Sequence, residues 1–509
     1  MRPSFRLSLF SLALAVLASG QAFAAPQHKF KVFVPGMPAS ANSPSTPPAE
    51  VSYNVNLLEH SFPQGEVGQS YSVSLASLLQ ISPAPTAPGY LEQVSWSLVG
   101  SLPAGLELAG EPGEPAISGT PSTPTAGAQF DVVATYSGKN GQRTYTIVVG
   151  DTTLDVTSIS AGHFHTCAIT TAGGAKCWGR GEYGQLGHGA TSDAATPVDV
   201  VGLTTGVASV SAGYYHTCAV TTSGAAKCWG YGLDGQLGNG VTSNAVSPVN
   251  VSGIGSAVAS IKPAANHTCA VTTSGGVKCW GYGGGGRLGN GSTANSITPV
   301  NVSGLASGVT DLSSGAYTTC AVSMGGVKCW GFGTYGALGN GSIGNASTPV
   351  NVSGLASGVA SISVGTYTTC AVTTSGGAKC WGSGTDGALG NGGLATATTP
   401  VDVSGLTSGV ANISAGDRHT CAVTTAGGAK CWGYGGEGRL GNGGTGNSAT
   451  PVEVAGLTSG ATGVSAGGEH TCAVTTNGGA KCWGYGANGQ LGSGSTVNSA
   501  TPANVSPGS

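Results

Sequence analysis

Short runs of apolar, β-prone residues separated by glycine-rich turns dominate this chain from residue 152 to its end. These runs lack the spacing of an amphipathic helix and come in groups of four. One group comprises residues 207–210, 217–221, 226–229 and 248–251. Turn sequences such as Ser-Gly-Gly and Gly-Asn-Gly lie between the runs. Groups of four strands at a fixed period predict the blades of a β-propeller.

The period is visible in residues 216–240, HTCAVTTSGAAKCWGYGLDGQLGNG, which recur with small changes. The second cysteine of each copy sets a period of 51 residues with one step of 50, because it stands at Cys177, Cys228, Cys279, Cys329, Cys380, Cys431 and Cys482. Seven four-stranded units can close into a ring in which every blade packs against two neighbours, so no sheet is left open. The sequence therefore predicts one propeller domain over residues 152–509.

The repeated motif also resembles a known family. The consensus AGxxHTCAVTTxGGxKCWGxGxxGQLGNG, followed by TPVxVxGL, resembles the regulator of chromosome condensation repeat family, in the cysteine-bearing form found in secreted bacterial proteins. The resemblance covers residues 152–509 and implies a seven-bladed β-propeller. It also implies several possible functions, because the eukaryotic founder exchanges nucleotide on a small GTPase and binds chromatin, whereas bacterial members include secreted inhibitors of β-lactamases. One propeller fold hosts many partners, so the fold transfers better than the function.

The first fifty residues have a different character. Arg2 and Arg6 precede an apolar run, and the sequence AFA at residues 22–24 fits the small-residue rule for signal peptidase, which predicts a signal peptide over residues 1–24. Residues 25–50 are rich in Pro, Ser and Ala without an apolar period and are expected to form a linker. After the signal peptide, no apolar run reaches the roughly 18 residues of a membrane helix. We expect an exported protein located in the periplasm, at the cell surface or outside the cell.

The region between the linker and the repeats, residues 51–151, predicts a β-sandwich. It contains alternating runs at residues 71–75, 94–98, 130–134 and 144–148, which indicate about seven short strands. Trp96 is the expected anchor of the core. The segments VGQSY, WSL, LPAGL and ISGTP resemble the bacterial immunoglobulin-like domains common in surface and secreted proteins. No polar cluster indicates a site, so we expect a spacer.

Composition changes this picture little. Charged residues make up 8% of the chain and the net charge is −3, with an isoelectric point near 6.3. Nothing in this balance favours nucleic acid or an anionic membrane as a partner. The 90 glycines would suggest disorder if they lacked a period, but they follow the repeat.

All fourteen cysteines lie in the repeats, two per copy, separated by nine residues in six copies and by eight in the fourth. A glycine-rich turn lies midway, so the two cysteines should face each other on adjacent strands of a hairpin, within disulfide distance. In an exported chain this predicts the pairs Cys167–Cys177, Cys218–Cys228, Cys269–Cys279, Cys320–Cys329, Cys370–Cys380, Cys421–Cys431 and Cys472–Cys482. The shorter fourth loop keeps its partners opposed if Met324 and Gly325 form a two-residue turn.

Metal binding is the alternative role for these cysteines. It lacks paired C-x2-C spacing, and the neighbouring histidines are absent from copies 4 and 5. We therefore expect no metal site and no cofactor.

Three further residue types recur with the cysteines. A histidine two places before the first cysteine occurs as His165, His216, His267, His419 and His470, and is replaced by Thr318 and Thr368. Five equivalent copies favour a structural hydrogen bond to a turn within each blade over catalysis. A lysine precedes each second cysteine; it is either a solvated blade position or part of a charged ring for an acidic partner. The tryptophan after each second cysteine is expected to pack between blades.

Specificity is expected at the loop positions where the copies differ, because these positions are free of blade packing. Two such sites per copy, before the recurring histidine and after the Trp-Gly, carry many aromatic residues, and Tyr and Arg commonly anchor protein interfaces. The candidate binding surface contains Phe164, Tyr183, Tyr214, Tyr215, Tyr231, Asp234, Tyr317, Tyr335, Tyr367, Arg418, Glu437 and Glu469. It requires that these residues share one face of the ring. Neutral drift of loop sequence is the alternative.

No catalytic residue is expected, since the carboxylates are scattered and no nucleophile elbow, phosphate-binding loop or calcium loop is present. The leading hypothesis is a monomeric, non-enzymatic binding protein that uses the variable loop face to hold an unidentified protein or a cell-surface glycan. One alternative is a guanine-nucleotide-exchange-type regulator of a small GTPase, against which export and paired cysteines count. Another is an extracellular glycan-acting enzyme, which would need two carboxylates about 5–10 Å apart.

Overall fold

The computed structural model describes residues 51–508, apart from residues 64, 68, 69, 112, 124, 151, 152 and 256. The expected signal peptide (residues 1–24) and linker (residues 25–50) lie outside the described residues. Within the described part of the chain, no helix is long and apolar enough to cross a membrane.

The described residues between 54 and 150 form a β-sandwich. Its strands are β1 (Asn54–Leu57), β2 (Gly65–Glu66), β3 (Tyr71–Ser74), β4 (Leu79–Ser82), β5 (Ser95–Gly100), β6 (Leu106–Ala109), β7 (Ala116–Gly119), β8 (Thr125–Tyr136) and β9 (Lys139–Gly150). They pair in the orders β2-β9-β8-β5, β3-β7-β6 and β1-β4. Among the strand pairs described in the sandwich, the short β2–β9 pair is parallel and the others are antiparallel. Short 3₁₀ turns occur at Ala76–Leu78 and Tyr90–Gln93.

The two long strands β8 and β9 supply much of the sandwich core. Phe130 pairs with Tyr145 across these strands, and both side chains are buried, as are Val132 and Ile147. Trp96 was expected to anchor this core, and that prediction was wrong, because its side chain is only half-buried. The reason is topological: Trp96 lies on β5, the edge strand of its sheet.

Residues 153–508 form seven four-stranded sheets, each built from four consecutive strands. We number these blades 1 to 7 along the chain. The strands are, in blade 1, β10 (Val156–Ala161), β11 (His165–Thr170), β12 (Ala175–Gly179) and β13 (Ala194–Asp199); in blade 2, β14 (Val207–Ala212), β15 (His216–Thr221), β16 (Ala226–Gly230) and β17 (Ala245–Asn250); in blade 3, β18 (Val258–Pro263), β19 (His267–Thr272), β20 (Val277–Gly281) and β21 (Ser296–Asn301); in blade 4, β22 (Val309–Ser314), β23 (Thr318–Ser323), β24 (Gly326–Gly331) and β25 (Ala346–Asn351); in blade 5, β26 (Val359–Val364), β27 (Thr368–Thr373), β28 (Ala378–Gly382) and β29 (Ala397–Asp402); in blade 6, β30 (Val410–Ala415), β31 (His419–Thr424), β32 (Ala429–Gly433) and β33 (Ser448–Glu453); and in blade 7, β34 (Ala461–Ala466), β35 (His470–Thr475), β36 (Ala480–Gly484) and β37 (Ser499–Asn504).

Burial within a blade follows the position of each strand. The second strand, such as β15, is buried along nearly its whole length, because it is covered by strands on both sides and by blades on both faces. The outer strand, such as β17, is only partly covered. Between blades the core consists of small and β-branched residues around one tryptophan; Trp381 of blade 5 packs against Cys320 and Val322 of blade 4. The predicted packing of tryptophan between blades is confirmed.

The ring closes without exchange of a strand between blades 1 and 7. Residues just before β10 take the place of the connecting segment that links other neighbouring blades. The Leu154 amide donates to the Val505 carbonyl at 2.7 Å, and the Ala480 amide donates to the Leu154 carbonyl at 3.0 Å. Leu154 is buried in a cluster that also contains Trp178 and Cys472. Each blade therefore keeps its four consecutive strands.

Short 3₁₀ turns follow the third strand in four blades, at Gly284–Gly286, Thr334–Gly336, Thr385–Gly387 and Gly436–Gly438. The second and third strands of blade 4 are joined by the predicted two-residue turn. Met324 and Gly325 have φ angles of 51° and 78°, which is the left-handed pair that a type I′ turn requires. This turn keeps Cys320 opposite Cys329 although the loop is one residue shorter.

Candidate functional site

The recurring histidines bind neighbouring blades together. Nε2 of His165 in blade 1 lies 2.7 Å from Oγ1 of Thr217 in blade 2, and His470 of blade 7 makes the same 2.7 Å contact with Thr166 of blade 1. His216, His267 and His419 repeat this contact. The expected bond to a turn within the same blade was wrong, because the imidazole reaches across the blade junction. Burial lowers the pKa of His165 to about 3, so the ring is neutral.

The recurring lysines bond to the outer strand of their own blade. Nζ of Lys227 donates to Oδ1 of Asn250 at 2.8 Å, and Lys379 pairs with Asp402 at 2.6 Å. The same contact to the outer strand is made by Lys176, Lys278, Lys328, Lys430 and Lys481. Each ammonium group therefore has an acceptor in its own blade, as expected for a structural position.

The predicted disulfides are present as the seven pairs within single blades. In each, the two cysteines are direct partners in the register of the second and third strands, as Cys167 and Cys177 are in blade 1. The described residues contain no free cysteine. The same residues also contain no cluster of three or more His, Cys, Asp or Glu side chains that could hold a metal ion.

The two variable loops of each blade lie at the same edge of the propeller. Because the four strands form an antiparallel meander, the loop between the first and second strands and the loop between the third and fourth strands meet at one end. We call this end the loop face. The hairpin turns that follow the first cysteine of each blade lie at the other end, which we call the opposite face.

Part of the candidate surface forms a first aromatic cluster on blades 1 and 2. Its members are Phe164, Tyr183, Tyr214, Tyr215 and Tyr231. The ring centroids of Tyr183 and Tyr231 are 5.2 Å apart, those of Tyr183 and Tyr215 are 5.6 Å apart, and those of Phe164 and Tyr215 are 5.9 Å apart. These edge-to-face and tilted contacts stabilise the cluster while leaving the rings partly accessible.

Tyr214 differs from the rest of this cluster because it lies over the central channel. Its hydroxyl bonds to that of Thr366, which belongs to blade 5 on the far side of the ring. The His163 ring packs on Tyr214 with centroids 4.3 Å apart. Burial raises the pKa of Tyr214 far above its ordinary value. Tyr214 is therefore part of the channel mouth rather than an exposed anchor.

A second aromatic cluster lies on blades 4 and 5. It contains Tyr317, Tyr335 and Tyr367 from the candidate surface, together with Phe332. Tyr317 and Tyr367 stack with centroids 5.6 Å apart, and Tyr335 meets Tyr367 edge-on at 5.2 Å. Burial and the hydrogen bond with Tyr317 raise the pKa of Tyr367 to about 12, so the Tyr367 hydroxyl is protonated at neutral pH.

The remaining candidates, Asp234, Arg418, Glu437 and Glu469, do not join the aromatic clusters. Arg418 forms a salt bridge with Asp386 at 2.6 Å and lies 4.2 Å from the centroid of the Tyr434 ring. Asp234 accepts from Asn266 at 2.8 Å, and Glu437 accepts from Asn498. Burial raises the pKa of Glu469, against the opposing effect of Arg439. Arg418 with Asp386, Glu437 and Glu469 give blades 5 to 7 a charged sector, whereas Asp234 lies in blade 2.

Sequence reasoning missed one variable position within the loop face. The glutamine of the GQLGNG motif is retained as Gln185, Gln236 and Gln490, but becomes Arg287, Ala337, Ala388 and Arg439. Where glutamine is present, its side-chain oxygen accepts the amide two residues earlier, as Gln185 accepts from Tyr183 at 2.9 Å. Where it is absent, that earlier residue adopts a left-handed conformation, with φ of 61° at Tyr335. Comparing the copies at this position would have revealed the difference.

Models of the regulator of chromosome condensation (RCC1) repeat match residues 177–220, 224–271, 274–322, 325–372, 376–423 and 431–474. A second model of the same repeat matches residues 156–185, 207–236, 359–388, 410–439 and 461–490. The chain belongs to the RCC1 repeat family. The family described as "Putative Ig domain" matches residues 49–150, the region of the sandwich.

Relatives of this RCC1-repeat protein align with its propeller. The Ultraviolet-B receptor UVR8 of Arabidopsis thaliana is 34% identical over 347 residues, which is 67% of this chain and 79% of UVR8. The probable E3 ubiquitin-protein ligase HERC4 of Homo sapiens is 33% identical over 172 residues, which is 33% of this chain but only 16% of HERC4. The similarity to HERC4 is therefore confined to a small part of that protein.

Solved structures confirm the propeller fold. Yeast RCC1 (Prp20), bound to Kap60, has a TM-score of 0.57 at 20% identity, over 69% of this chain and 84% of Prp20. Human WBSCR16 has a TM-score of 0.56 at 22% identity, over 65% of this chain and 89% of WBSCR16. At this level of identity the likeness concerns the fold alone.

Proposed function

We propose that this RCC1-repeat protein is an exported, non-enzymatic binding protein that holds a protein partner on its loop face. The observation that carries the proposal is the clustering of variable aromatic side chains at one end of the propeller. Tyr183, Tyr215 and Tyr231 come from three different loops and pack together, half-buried. Partly exposed, mutually supported tyrosines are typical anchors of protein interfaces.

The frame that carries these loops is rigid. Disulfides and inter-blade hydrogen bonds hold the second and third strands of each blade, so the loops start from fixed positions. A preorganised surface loses little conformational entropy on binding. The disulfides also favour an oxidising compartment, in agreement with the expected signal peptide.

The arrangement of carboxylates supports a binding role rather than catalysis. Both oxygens of Asp386 are engaged, one by Arg418 at 2.6 Å and the other by Asn447 at 2.9 Å. Glu437 accepts from Asn498. Carboxylate oxygens that are already bonded to neighbouring side chains are not free to exchange a proton with a substrate, which a general acid or base must do. One solved relative, yeast Prp20p, has been described with binding properties to Gsp1p and histones. By analogy, we propose that the present chain also binds a protein.

Pulldown with loop-face variants tests this proposal. The mature full-length chain is immobilised and exposed to the secreted and cell-surface fractions of its own organism. Replacement of Tyr183, Tyr215 and Tyr231 by alanine should reduce recovery of the partner at least tenfold, since such anchors contribute more than about 1.4 kcal/mol in total. The matched control replaces the exposed Met324 and Val201 of the opposite face by alanine. Equal recovery by the wild type and both variants would remove the loop face from consideration.

Export is tested separately. Intact-mass measurement on the protein recovered from each cell fraction should find a chain that begins after residue 24 and carries seven disulfides. A full-length chain retained in the cytoplasm would contradict this part of the proposal.

A further inference from the structure

Copies 4 and 5 of the repeat are unusual at two positions at once. The recurring histidine is replaced by Thr318 in copy 4 and by Thr368 in copy 5. The glutamine of GQLGNG is replaced by Ala337 and Ala388 in the same two copies. Every other copy keeps the histidine and has either glutamine or arginine at the second position. Each of these two consecutive blades therefore lacks two large side chains that the other blades carry.

Each pair of losses opens a cavity on the loop face. The first pocket, of about 230 Å³, lies between blades 4 and 5 and is lined by Thr318 and Ala337. The second pocket, of about 200 Å³, lies between blades 5 and 6 and is lined by Thr368 and Ala388. In other blades the histidine fills the junction and bonds to the next blade. Here the threonine hydroxyls turn back and donate within their own blade, to the Phe332 and Ser383 carbonyls.

The two pockets share an aromatic wall. Tyr335 and Tyr367 line both cavities. Tyr335 is 48% exposed, so its ring is accessible from solvent. Tyr335 and Asp386 at the rims both have a φ of 61°. This left-handed conformation follows from the loss of the glutamine, as it does at Glu437 in blade 6, where φ is 62°. A ligand long enough to enter both pockets would contact the shared wall on both sides.

The charges around the pockets favour a neutral ligand. None of the residues that line the first pocket is charged. The Arg287 guanidinium lies 5.3 Å from the Tyr317 centroid and 4.9 Å from the Phe332 centroid. This fixed positive charge opposes a cation in the first pocket, although aromatic rings alone would attract one. In the second pocket the Arg418–Asp386 salt bridge neutralises two of the three charged groups, and the third, Asp417, is a carboxylate that can accept hydrogen bonds from hydroxyls.

The polar groups require a ligand that forms hydrogen bonds. The second pocket is lined by the hydroxyls of Thr385 and Ser383 and by the carboxylate of Asp417. The first pocket is lined by the hydroxyl of Thr334. Apolar walls combined with a few hydrogen-bonding groups are the usual composition of a small-molecule site. A ligand with apolar faces and a rim of hydroxyls matches this combination.

We propose that the two pockets form a binding site for two consecutive pyranose units of a neutral glycan. A pyranose ring presents C–H faces that pack on aromatic rings and hydroxyls that bond to threonine, serine and carboxylate oxygens. The similar volumes of the pockets suit two units of similar size. This site is separate from the first aromatic cluster and does not depend on the proposed protein partner.

Pocket-filling variants offer a test in which the fold is preserved. Thr318→His with Ala337→Gln fills the first pocket, and Thr368→His with Ala388→Gln fills the second. Both restore residues that copies 1, 2 and 7 already carry. The new imidazole at position 318 should reach the hydroxyl of Thr369, as His165 reaches Thr217. These variants should be at least as stable as the parent, so a loss of binding cannot be ascribed to unfolding.

The probes are maltose, cellobiose, lactose and N,N′-diacetylchitobiose, measured with the mature full-length chain by saturation-transfer NMR. At least one should bind with a dissociation constant of about 1 mM or below, and each filled variant should weaken it about tenfold. Replacement of Tyr231 by alanine, which alters the protein-binding cluster, should leave saccharide binding unchanged. The proposal is overturned if none of the four saccharides binds, if the filled variants bind equally well, or if tetramethylammonium occupies the pockets in their place.

Discussion

The imidazole Nε2 of His165 and the hydroxyl Oγ1 of Thr217 lie 2.7 Å apart across the junction of blades 1 and 2. Thr217 uses its own proton to donate to the Gln185 carbonyl at 2.8 Å. The imidazole must therefore carry its proton on Nε2 and act as the donor. Its Nδ1 is buried and has no partner among the described residues. The two hydrogen bonds therefore fix the tautomer of the ring, and burial keeps it neutral.

Replacing Thr217 by valine should show how much these two hydrogen bonds contribute to the free energy of unfolding. The substitution removes the acceptor of His165 and the donor to Gln185, and should lower the free energy of unfolding by about 1–3 kcal/mol. Thr369 is the matched control, because it donates to the Ala337 carbonyl at 3.2 Å but faces threonine in place of histidine. Thr369→Val should cost less by about 1 kcal/mol. Chemical denaturation with the disulfides intact measures both, and equal losses would contradict the assigned role.

The buried histidines should make the propeller sensitive to acid. The pKa is about 3 for His165, His216, His267 and His470, and burial also holds that of His419 well below its ordinary value. An unfolded histidine has a pKa of about 6.5, so unfolding takes up protons between these values. The stability is fully present above the unfolded pKa and is lost as the pH falls toward 3. Each histidine should contribute a slope of up to about 1.4 kcal/mol per pH unit.

Denaturation midpoints measured between pH 7 and pH 4 check this expectation. His419→Thr should flatten the dependence, because it removes one group whose pKa is lowered on folding. The fold should tolerate the substitution, since threonine already occupies this position in blades 4 and 5. Thr318→His should steepen the dependence. Identical pH profiles for the parent and both variants would show that other groups govern the acid response.

The seven-copy repeat explains why much of the fold could be predicted. Strand number, disulfide pairs and the Met324-Gly325 turn depend on local spacing, and every copy repeats the same spacing. The histidine contact was misplaced because its partner is 52 residues away in the chain. The sequence around a histidine does not show whether its hydrogen bond stays within the blade or reaches the next blade. The sequence shows that Thr318 replaces the recurring histidine and that Ala337 replaces the glutamine. Only the structure shows that the two residues lie close together and line one cavity.

The disulfides should resist reduction while the protein is folded. All fourteen cysteines have no accessible surface, so a reductant cannot approach the sulfur atoms without opening a blade. We expect dithiothreitol in native buffer to release no thiols, and the same treatment in guanidinium chloride to release all fourteen. Alkylation and mass spectrometry count the thiols. Rapid release in native buffer would indicate that the blades open locally.

The propeller should still fold after removal of one disulfide, but with a lower free energy of unfolding. Replacing Cys472 and Cys482 by alanine opens a loop of eleven residues, counted from Cys472 to Cys482. In the chain-entropy account this should lower the free energy of unfolding by about 2–3 kcal/mol. The other six bonds should remain paired within their blades. Exchange of partners between blades in this variant would contradict the view that each hairpin sets its own pairing.

The final prediction concerns the glycines at the channel mouth. A Cβ at Gly315 would lie 1.8 Å from the carbonyl oxygen of Gly365 in the next blade. This overlap is with backbone, so a side-chain rotation cannot relieve it, and the two blades would have to separate. Gly315→Ala should therefore lower the free energy of unfolding by about 2–3 kcal/mol.

Gly463 provides the control, because a Cβ there would meet nothing within 4 Å. It lies on the first strand of blade 7, whereas Gly315 directly follows the first strand of blade 4. Gly463→Ala should leave stability unchanged or raise it by about 0.5–1 kcal/mol, because alanine has less freedom to lose on folding. Thermal and chemical denaturation compare the two. If Gly315→Ala is as stable as Gly463→Ala, the blades can move apart freely at the mouth, and the contact between Gly315 and Gly365 does not set the width of the channel.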